Sequence, residues 1–218
     1  MSTFSGLDIP TNGLICVLDP NNIKSWSGTG TLLKDLTGNG YNVNVSGSGD
    51  FASYNQQNVL RIDGTTTVRT ISSLSLENPY TILGVDRYNG LGSNYRGRTI
   101  TSSTSRNWLM NHWANQRYPY YANGWVGTNY TTESNNTWEI GIVTGTSGDY
   151  HCYYDGVDKT GNSSGGSAGP GTIAFGNMAS TSTEPSNCDI GLFLVWNRVL
   201  TLEEITIVYN ACRQRFGQ

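Results

Sequence analysis

Residues 106–130 combine aromatic rings with amide side chains, a mixture suited to binding. The segment holds half of the 6 tryptophans, with several tyrosines and asparagines. Aromatic faces stack on the CH faces of sugar rings, and amides bond to hydroxyl groups. The same residue types dominate protein interfaces, and aromatic residues also fill cores and cross-strand pairs. The candidate contacts for a partner or a glycan are Trp108, Trp113, Arg117, Tyr118, Tyr120, Tyr121, Trp125 and Tyr130.

The acidic residues do not form the pair that glycoside hydrolysis needs. Hydrolysis requires two carboxylates that flank the scissile bond, about 5–5.5 Å apart in retaining enzymes. Glu139 stands alone in its predicted strand, and Asp149 and Asp155 lie at turns. We therefore expect that the protein is not an enzyme. The alternative, a glycanase with an unfamiliar site, would depend on Glu139.

The histidines and cysteines do not form a recognisable catalytic or zinc site. His112 and His151 lie in predicted strands, and His151 adjoins a cysteine on the opposite face of its strand. We expect both histidines to be packed or hydrogen-bonded among aromatic residues. The cysteines lack CxxC spacing, which predicts buried, reduced thiols, with one disulfide open if the protein matures outside a cell. They are Cys16, Cys152, Cys188 and Cys212.

No cofactor is predicted, although a structural calcium ion is an alternative. Asp and Asn oxygens in loops are suitable calcium ligands. The turn chemistry of these residues also explains them without a metal. The candidate ligands are Asp35, Asn39, Asp63, Asp86, Asn89 and Asp189.

The composition excludes several partners. Charged residues make up only 13% of the 218 residues, and the net charge is −3. Without a basic run or stripe, nucleic acid is not an expected partner. No segment approaches the ~20 apolar residues of a membrane span, and no signal peptide is visible.

Short apolar or alternating runs between turn residues predict an all-β protein. The runs at 59–64 and 67–71 flank a turn and predict a hairpin. At the C-terminus, Thr201 and Glu204 form a capping box before apolar residues at helical spacing over 202–214. We predict a two-sheet antiparallel jelly-roll sandwich with one short C-terminal helix. Residues 1–13 are predicted to be an N-terminal arm, and residues 14–218 the jelly-roll domain.

Four stretches resemble motifs of the concanavalin A-like lectin/glucanase superfamily, in its laminin G-like jelly-roll branch. They lie in the order of that family, at 13–19, 33–40, 60–64 and 190–204. Glucanases of this superfamily carry acidic residues at alternating positions of one strand, which this chain lacks. The segments 25–31, 106–109 and 124–126 are similar to virion proteins of marine bacteriophages.

The resemblance implies a non-enzymatic structural protein of a phage virion, either a capsid decoration or a tail or fibre appendage. It would act as a binding scaffold located in the virion. Its partners would be other virion proteins such as the major capsid protein, and it would form a homo-oligomer on the particle. The alternative is a lectin-like carbohydrate-binding module that recognises host-surface polysaccharide, and a decoration with host adhesion would combine both.

Overall fold

The computed structural model describes residues 8–45, 50–64, 68–91, 95–102, 106–128, 130–132, 137–177 and 184–218. Within these ranges the one helix, α1 (Leu202–Phe216), follows a series of mostly short strands. The strands are β1 (Leu14–Leu18), β2 (Leu32–Leu33), β3 (Val43–Asn44), β4 (Phe51–Tyr54), β5 (Gln57–Asp63), β6 (Arg69–Thr70), β7 (Tyr80–Tyr88), β8 (Ile100–Ser102), β9 (Trp108–Trp113), β10 (Gln116–Ala122), β11 (Trp125–Gly127), β12 (Thr131–Thr132), β13 (Glu139–Thr146), β14 (Asp149–Tyr154), β15 (Val157–Asp158), β16 (Ile173–Phe175) and β17 (Asn187–Trp196).

The strands form two large antiparallel sheets that pack face to face. The first has the order β15-β14-β13-β7-β17-β5-β4, with β1 also paired to β17. The second has the order β11-β10-β9-β8-β16-β6, with β12 also paired to β10, and β2 and β3 form a small separate pair. The predicted all-β sandwich with a single C-terminal helix is therefore confirmed for the described residues.

The first sheet is covered on both faces. One core cluster lies between the two sheets, and a second lies between the first sheet and α1. The central strands β7 and β17 are buried along their whole length. This burial explains why β17 reads as an unbroken apolar run from Ile190 to Trp196, without the alternation of a half-exposed strand.

The C-terminal helix has the ends that the sequence predicts. Thr201 accepts a hydrogen bond from the Glu204 backbone N–H, and the Glu204 side chain accepts one from the Thr201 backbone, which completes the capping box. Gly217 ends the helix at φ 73. Its 15 residues are amphipathic, and the described part of the chain contains no helix long and apolar enough to span a bilayer.

One prediction about chain organisation needs correction, while the N-terminal arm over 1–13 stays a prediction. The runs at 59–64 and 67–71 do not form a hairpin, because β5 pairs with β4 and β17 while β6 pairs with β16 in the other sheet. The chain instead crosses between sheets there. At the N-terminus, Ile9 is buried and the Pro10 carbonyl accepts the Trp196 indole N–H at 2.7 Å, so these residues pack on the sandwich. Residues 1–7 lie outside the described residues.

Tight two-residue turns join several neighbouring strands. Asn55 and Gln56, between β4 and β5, have φ of 48 and 65. The Ala114–Asn115 turn between β9 and β10 has the same signature, with φ of 51 and 66. Such primed turns match the twist of the strands but place side chains in the left-handed region.

We expect Gln56→Gly to stabilise the protein. Gln56 is exposed, and glycine avoids the ~1–2 kcal/mol steric cost of a left-handed residue. Glycine also has a larger conformational entropy in the unfolded chain, which lowers stability. After this cost is subtracted from the steric gain, we expect the unfolding free energy to rise by about 0.5–1 kcal/mol. The matched control is Ser53→Gly, an exposed position within β4, which we expect to lose about 0.5–1 kcal/mol. Chemical denaturation measures both, and equal losses in the two variants would contradict the role of the turn.

Candidate functional site

The pair β9 and β10 carries most of the candidate contact residues, and a bulge distorts it. The register shifts between Arg117 and Tyr120. Asn111 on β9 and Tyr118 on β10 have φ of 71 and 74. A bulge breaks the alternation of a strand and re-aims nearby side chains. Here it turns the Asn111 amide inward, where its Nδ2 donates to the Gly84 carbonyl at 3.0 Å.

Two glycines on the facing sheet make room for this amide. Gly84 and Gly141 are paired neighbours on β7 and β13. A Cβ atom at Gly141 would lie 2.0 Å from the Asn111 Oδ1 atom, and one at Gly84 would lie 3.1 Å from its Nδ2 atom. Larger residues at these positions would therefore displace Asn111 from between the sheets.

Four aromatic side chains form a cluster on the outer face of the second sheet. The centroid of the Trp125 ring lies 5.4 Å from that of Trp113, 4.9 Å from that of Tyr121 and 5.3 Å from that of Tyr130. All four residues are half-buried. We call Trp113, Tyr121, Trp125 and Tyr130 the aromatic cluster. Burial raises the pKa of the Tyr130 hydroxyl to about 12, so its hydroxyl is a neutral donor and acceptor at neutral pH.

A carboxylate fixes the orientation of one of these rings. The Trp113 indole N–H donates to Glu184 Oε1 at 2.7 Å. The other oxygen of Glu184 accepts from Arg98 Nε at 2.5 Å, and Arg98 Nη1 donates to Asn107 Oδ1 at 2.8 Å. Because Arg98 is itself buried, this chain of bonds holds the indole against the sheet.

The structure divides the eight candidates between the surface and the interior. Trp108 and Tyr120 are buried between the sheets, where both bond to the Tyr80 hydroxyl, at 3.1 and 2.6 Å. The prediction that Trp108 and Tyr120 are contact residues is therefore wrong. They are core residues, because solvent and partners do not reach them. Tyr118 is half-buried against Tyr154, with a ring centroid distance of 5.3 Å. Tyr120 and Tyr121 are adjacent in β10, so their side chains point to opposite faces of the strand. Tyr120 lies inside, and Tyr121 belongs to the aromatic cluster.

Arg117, the remaining candidate, belongs to a polar network between the sheets that the sequence did not predict. Its Nε donates to Glu139 Oε2 at 3.1 Å, and its Nη2 donates to Asp155 Oδ2 at 2.7 Å. Glu139 lies directly opposite Asp86 on the neighbouring strand, and both are fully buried.

His112 and Asn111 complete this network. The His112 Nδ1 atom lies 3.0 Å from Asp86 Oδ2, and the Asn111 Nδ2 donates to Asp86 Oδ1 at 2.5 Å. We call these residues the inter-sheet network; its members are Asp86, Asn111, His112, Arg117, Glu139 and Asp155. The pairing of β7 with β13, which joins distant parts of the chain, brings the two acids together, and no local motif signals it.

The environment of Glu139 favours its protonated form. Burial raises the pKa of the Glu139 carboxyl to about 8, and the nearby Asp86 and Asp155 carboxylates add to the increase. His112 and Arg117 act in the opposite direction. The two acids face each other as catalytic acids would, but they lie in the closed interior and not in a groove open to substrate.

The calcium candidates already take part in interactions of the fold, and two of them contact each other, since Asn89 Nδ2 donates to Asp189 Oδ1 at 3.1 Å. Asp35 Oδ1 accepts from the backbone N–H groups of Val17 and Thr37, at 2.9 and 3.0 Å. Asp189 forms ion pairs with Arg61 and Arg87. In the ranges that the structure describes, no three His, Cys, Asp or Glu side chains are grouped to hold a metal ion. The other candidates are Asn39, Asp63 and Asp86.

The histidines and cysteines lie as the sequence predicts. The His112 ring packs 4.8 Å from that of Tyr88, and His151 Nε2 lies 3.0 Å from Asp149 Oδ1. All four cysteines are buried as free thiols: Cys16, Cys152, Cys188 and Cys212.

Comparison with known proteins identifies the fold. No protein-family model matches the chain, and no curated protein sequence matches it. Trypanosoma rangeli sialidase matches with a TM-score of 0.64 and 14% identity, over 95% of this chain and 34% of that chain. The binding domain of Paraclostridial Mosquitocidal Protein 1 matches with a TM-score of 0.62 and 15% identity, over 91% of this chain and 52% of that chain.

A third match covers a complete domain. It is domain 4 of a GH43 extracellular arabinanase from Geobacillus stearothermophilus, solved in complex with arabinotriose. The TM-score is 0.62 at 14% identity, over 89% of this chain and 98% of that one. The chain thus spans only about a third of the sialidase but nearly all of this domain. At such identities the likeness shows the fold alone, a two-sheet β-sandwich.

The raised pKa of Glu139 predicts a pH dependence of stability. The ionised carboxylate is disfavoured in the folded state, so the stability present below pH ~4.5 is lost as the pH rises towards 8. Glu139→Gln removes this titration. We expect the unfolding free energy of the variant, relative to wild type, to rise by at least about 1.4 kcal/mol from pH 4.5 to 8.5, the equivalent of one pKa unit.

Denaturant titrations across this pH range give the comparison. Glu203→Gln removes one exposed carboxylate from α1 and controls for the change in net charge. Parallel stability curves for wild type and Glu139→Gln would contradict the prediction.

Proposed function

We propose that this protein is a lectin-like carbohydrate-binding module whose contact surface is the aromatic cluster. The observation that carries the proposal is the grouping of Trp113, Tyr121 and Tyr130 around Trp125 on the outer face of a sheet. Half-buried rings present apolar faces at little cost in side-chain entropy, since packing already restricts them. Sugar rings stack on such faces, and neighbouring amides and hydroxyls bond to their hydroxyl groups.

The structural matches support this proposal over the virion role. One matched domain was solved with arabinotriose bound, and another is the binding domain of a toxin. The fold by itself does not determine function. The aromatic cluster carries the proposal, and the matches add an analogy. The role in a phage virion, with the major capsid protein as a partner, stays a prediction from the sequence.

We further propose that binding is not accompanied by catalysis. The facing pair Asp86 and Glu139 is fully buried, and neither carboxylate opens to a groove. Hydrolysis would need both acids to reach a bound glycosidic oxygen and anomeric carbon. A binding module needs only the outer face of the sheet, which the aromatic cluster occupies.

We expect Trp125→Ala to weaken saccharide binding while the protein stays folded. Trp125 contacts the other three rings of the cluster, so its removal takes away the central stacking surface. Loss of one stacked ring should weaken binding about two- to tenfold through stacking alone, since aromatic contacts contribute about 0.5–1.5 kcal/mol beyond the area they bury, and the lost contact area weakens it further. A glycan array followed by calorimetry on the ligands found, arabinotriose included, measures the effect.

Tyr153→Ala is the matched control. Tyr153 is also half-buried, but it lies on β14 and packs in the core cluster on the side of α1. We expect this variant to bind like wild type. Tyr121→Ala provides a second loss-of-binding variant, and circular dichroism checks the fold of all three. Unchanged binding by folded Trp125→Ala and Tyr121→Ala would refute the assignment of the site.

A further inference from the structure

We infer that the aromatic cluster selects neutral saccharides and excludes sugars that carry a carboxylate or sulfate. The inference rests on the proposed function and narrows its ligand class. An anionic sugar that leaves water for a half-buried aromatic surface needs a cation to replace its hydration. Arginine and lysine supply this in proteins, arginine through paired N–H donors. Whether the cluster can bind an anionic sugar therefore depends on where the arginines and lysines lie.

All basic residues of the chain can be located. The sequence contains 13 lysines and arginines, and each lies within the ranges that the structure describes. Most of the arginines form ion pairs with carboxylates of the fold. These are Arg61, Arg69, Arg87, Arg98, Arg106, Arg117, Arg198 and Arg215.

The cations nearest the aromatic cluster are already engaged. Arg98 is buried and pairs with Glu184, the carboxylate that also accepts the Trp113 indole N–H. Arg96 donates to the Asn115 side chain, and its guanidinium lies 5.9 Å from the Tyr88 ring. An anion at the cluster would have to approach the Glu184 carboxylate, or compete with the Glu184 and Asn115 side chains for these two guanidinium groups.

Two other cations contact residues that do not belong to the aromatic cluster. Arg117 reaches into the inter-sheet network, where Glu139 and Asp155 accept its hydrogen bonds. The Lys159 ammonium lies 4.9 Å from the centroid of the Tyr118 ring. Neither group reaches the cluster from this geometry without leaving its present contacts.

The remaining cations lie on other parts of the fold. Lys24 and Lys34 line a polar pocket beside β2. The β2–β3 pair adjoins β6, the strand at the edge opposite β11 in the second sheet. Arg213 lies in the last turn of α1, which packs on the far face of the first sheet.

Besides the Glu184 carboxylate, which is already paired with Arg98, two uncharged polar residues of the described strands share the outer face with the cluster. Gln116 lies opposite Trp113 in the β9–β10 pair, and Thr132 lies opposite Gln116 in the β10–β12 pair. Residues directly opposite one another in antiparallel strands point to the same face. An amide and a hydroxyl beside an indole both donate and accept hydrogen bonds, as neutral sugar hydroxyls require.

The test compares oligosaccharides that differ only in charge. Oligomers of α-1,4-linked galactose and of α-1,4-linked galacturonic acid share linkage and stereochemistry. We apply both, with neutral arabino-oligosaccharides, to the full chain and measure binding by calorimetry. We expect a neutral ligand to bind at least tenfold more tightly than an acidic one. Its affinity should change less than about twofold between roughly 0.05 and 0.5 M NaCl, because no charge pair contributes.

A gain-of-function variant tests the inference without relying on a loss of saccharide binding. Gln116→Arg, or Thr132→Arg if the first does not fold, places a guanidinium beside Trp113. We expect either variant to improve binding of the galacturonic acid oligomer at least tenfold, in a salt-dependent way. Thr206→Arg, an exposed position on α1, adds the same charge far from the cluster and should have no effect.

Two contrary results are distinguishable. In the first, acidic oligomers bind the wild type as tightly as neutral ones, their affinity falls with added salt, and their binding depends on Trp125. This result would overturn the inference and leave the proposed function standing. Failure of every saccharide on a broad array to bind would overturn the proposed function, and this inference with it.

Discussion

The arrangement of the sandwich depends on two acidic side chains buried between its sheets. Asp86 and Glu139 face each other on β7 and β13, and each needs partners that offset its loss of hydration. Those partners come from the opposite sheet, as His112, Asn111 and Arg117. The network therefore specifies how β9 and β10 lie over β7 and β13. A shift of one residue would leave buried acids without donors, which costs more than a misplaced apolar contact.

The bulge in β9 and β10 follows from this constraint. A regular strand would send adjacent residues to opposite faces, yet Asn111 and His112 both reach Asp86. The positive φ of Asn111 makes this possible, and the absence of side chains at Gly84 and Gly141 leaves space for its amide. The same two strands carry Trp113 and Tyr121 of the aromatic cluster, and β11, which holds Trp125, pairs with β10. Strands fixed from the inside hold surface rings in place, so less order has to be created when a ligand binds.

Local patterns predicted the elements that local chemistry specifies. The capping box of α1, the Asp155–Gly156 turn and the buried run of β17 all agree with the structure. Strand β10 was not predicted, because a proline and a bulge interrupt its alternation. The sequence predicts a hairpin where the chain crosses between sheets after β5. Two strands joined by a turn have the same sequence pattern whether they pair with each other or belong to different sheets.

The candidate site was predicted as a segment, and the structure separates its residues by depth. Composition alone identified residues 106–130, but it could not distinguish Trp108 in the core from Trp125 in the surface cluster. That distinction depends on the register and on the bulge, which are set by contacts with distant strands. The same distinction applies to charged residues. Arg117 lies in the aromatic segment, but its guanidinium donates hydrogen bonds to Glu139 and Asp155 on the inner side of the sheet. A segment rich in aromatic and amide residues thus presents an outward surface while its two arginines pair with carboxylates of the fold, and we propose that a ligand of this surface is recognised by stacking and neutral hydrogen bonds.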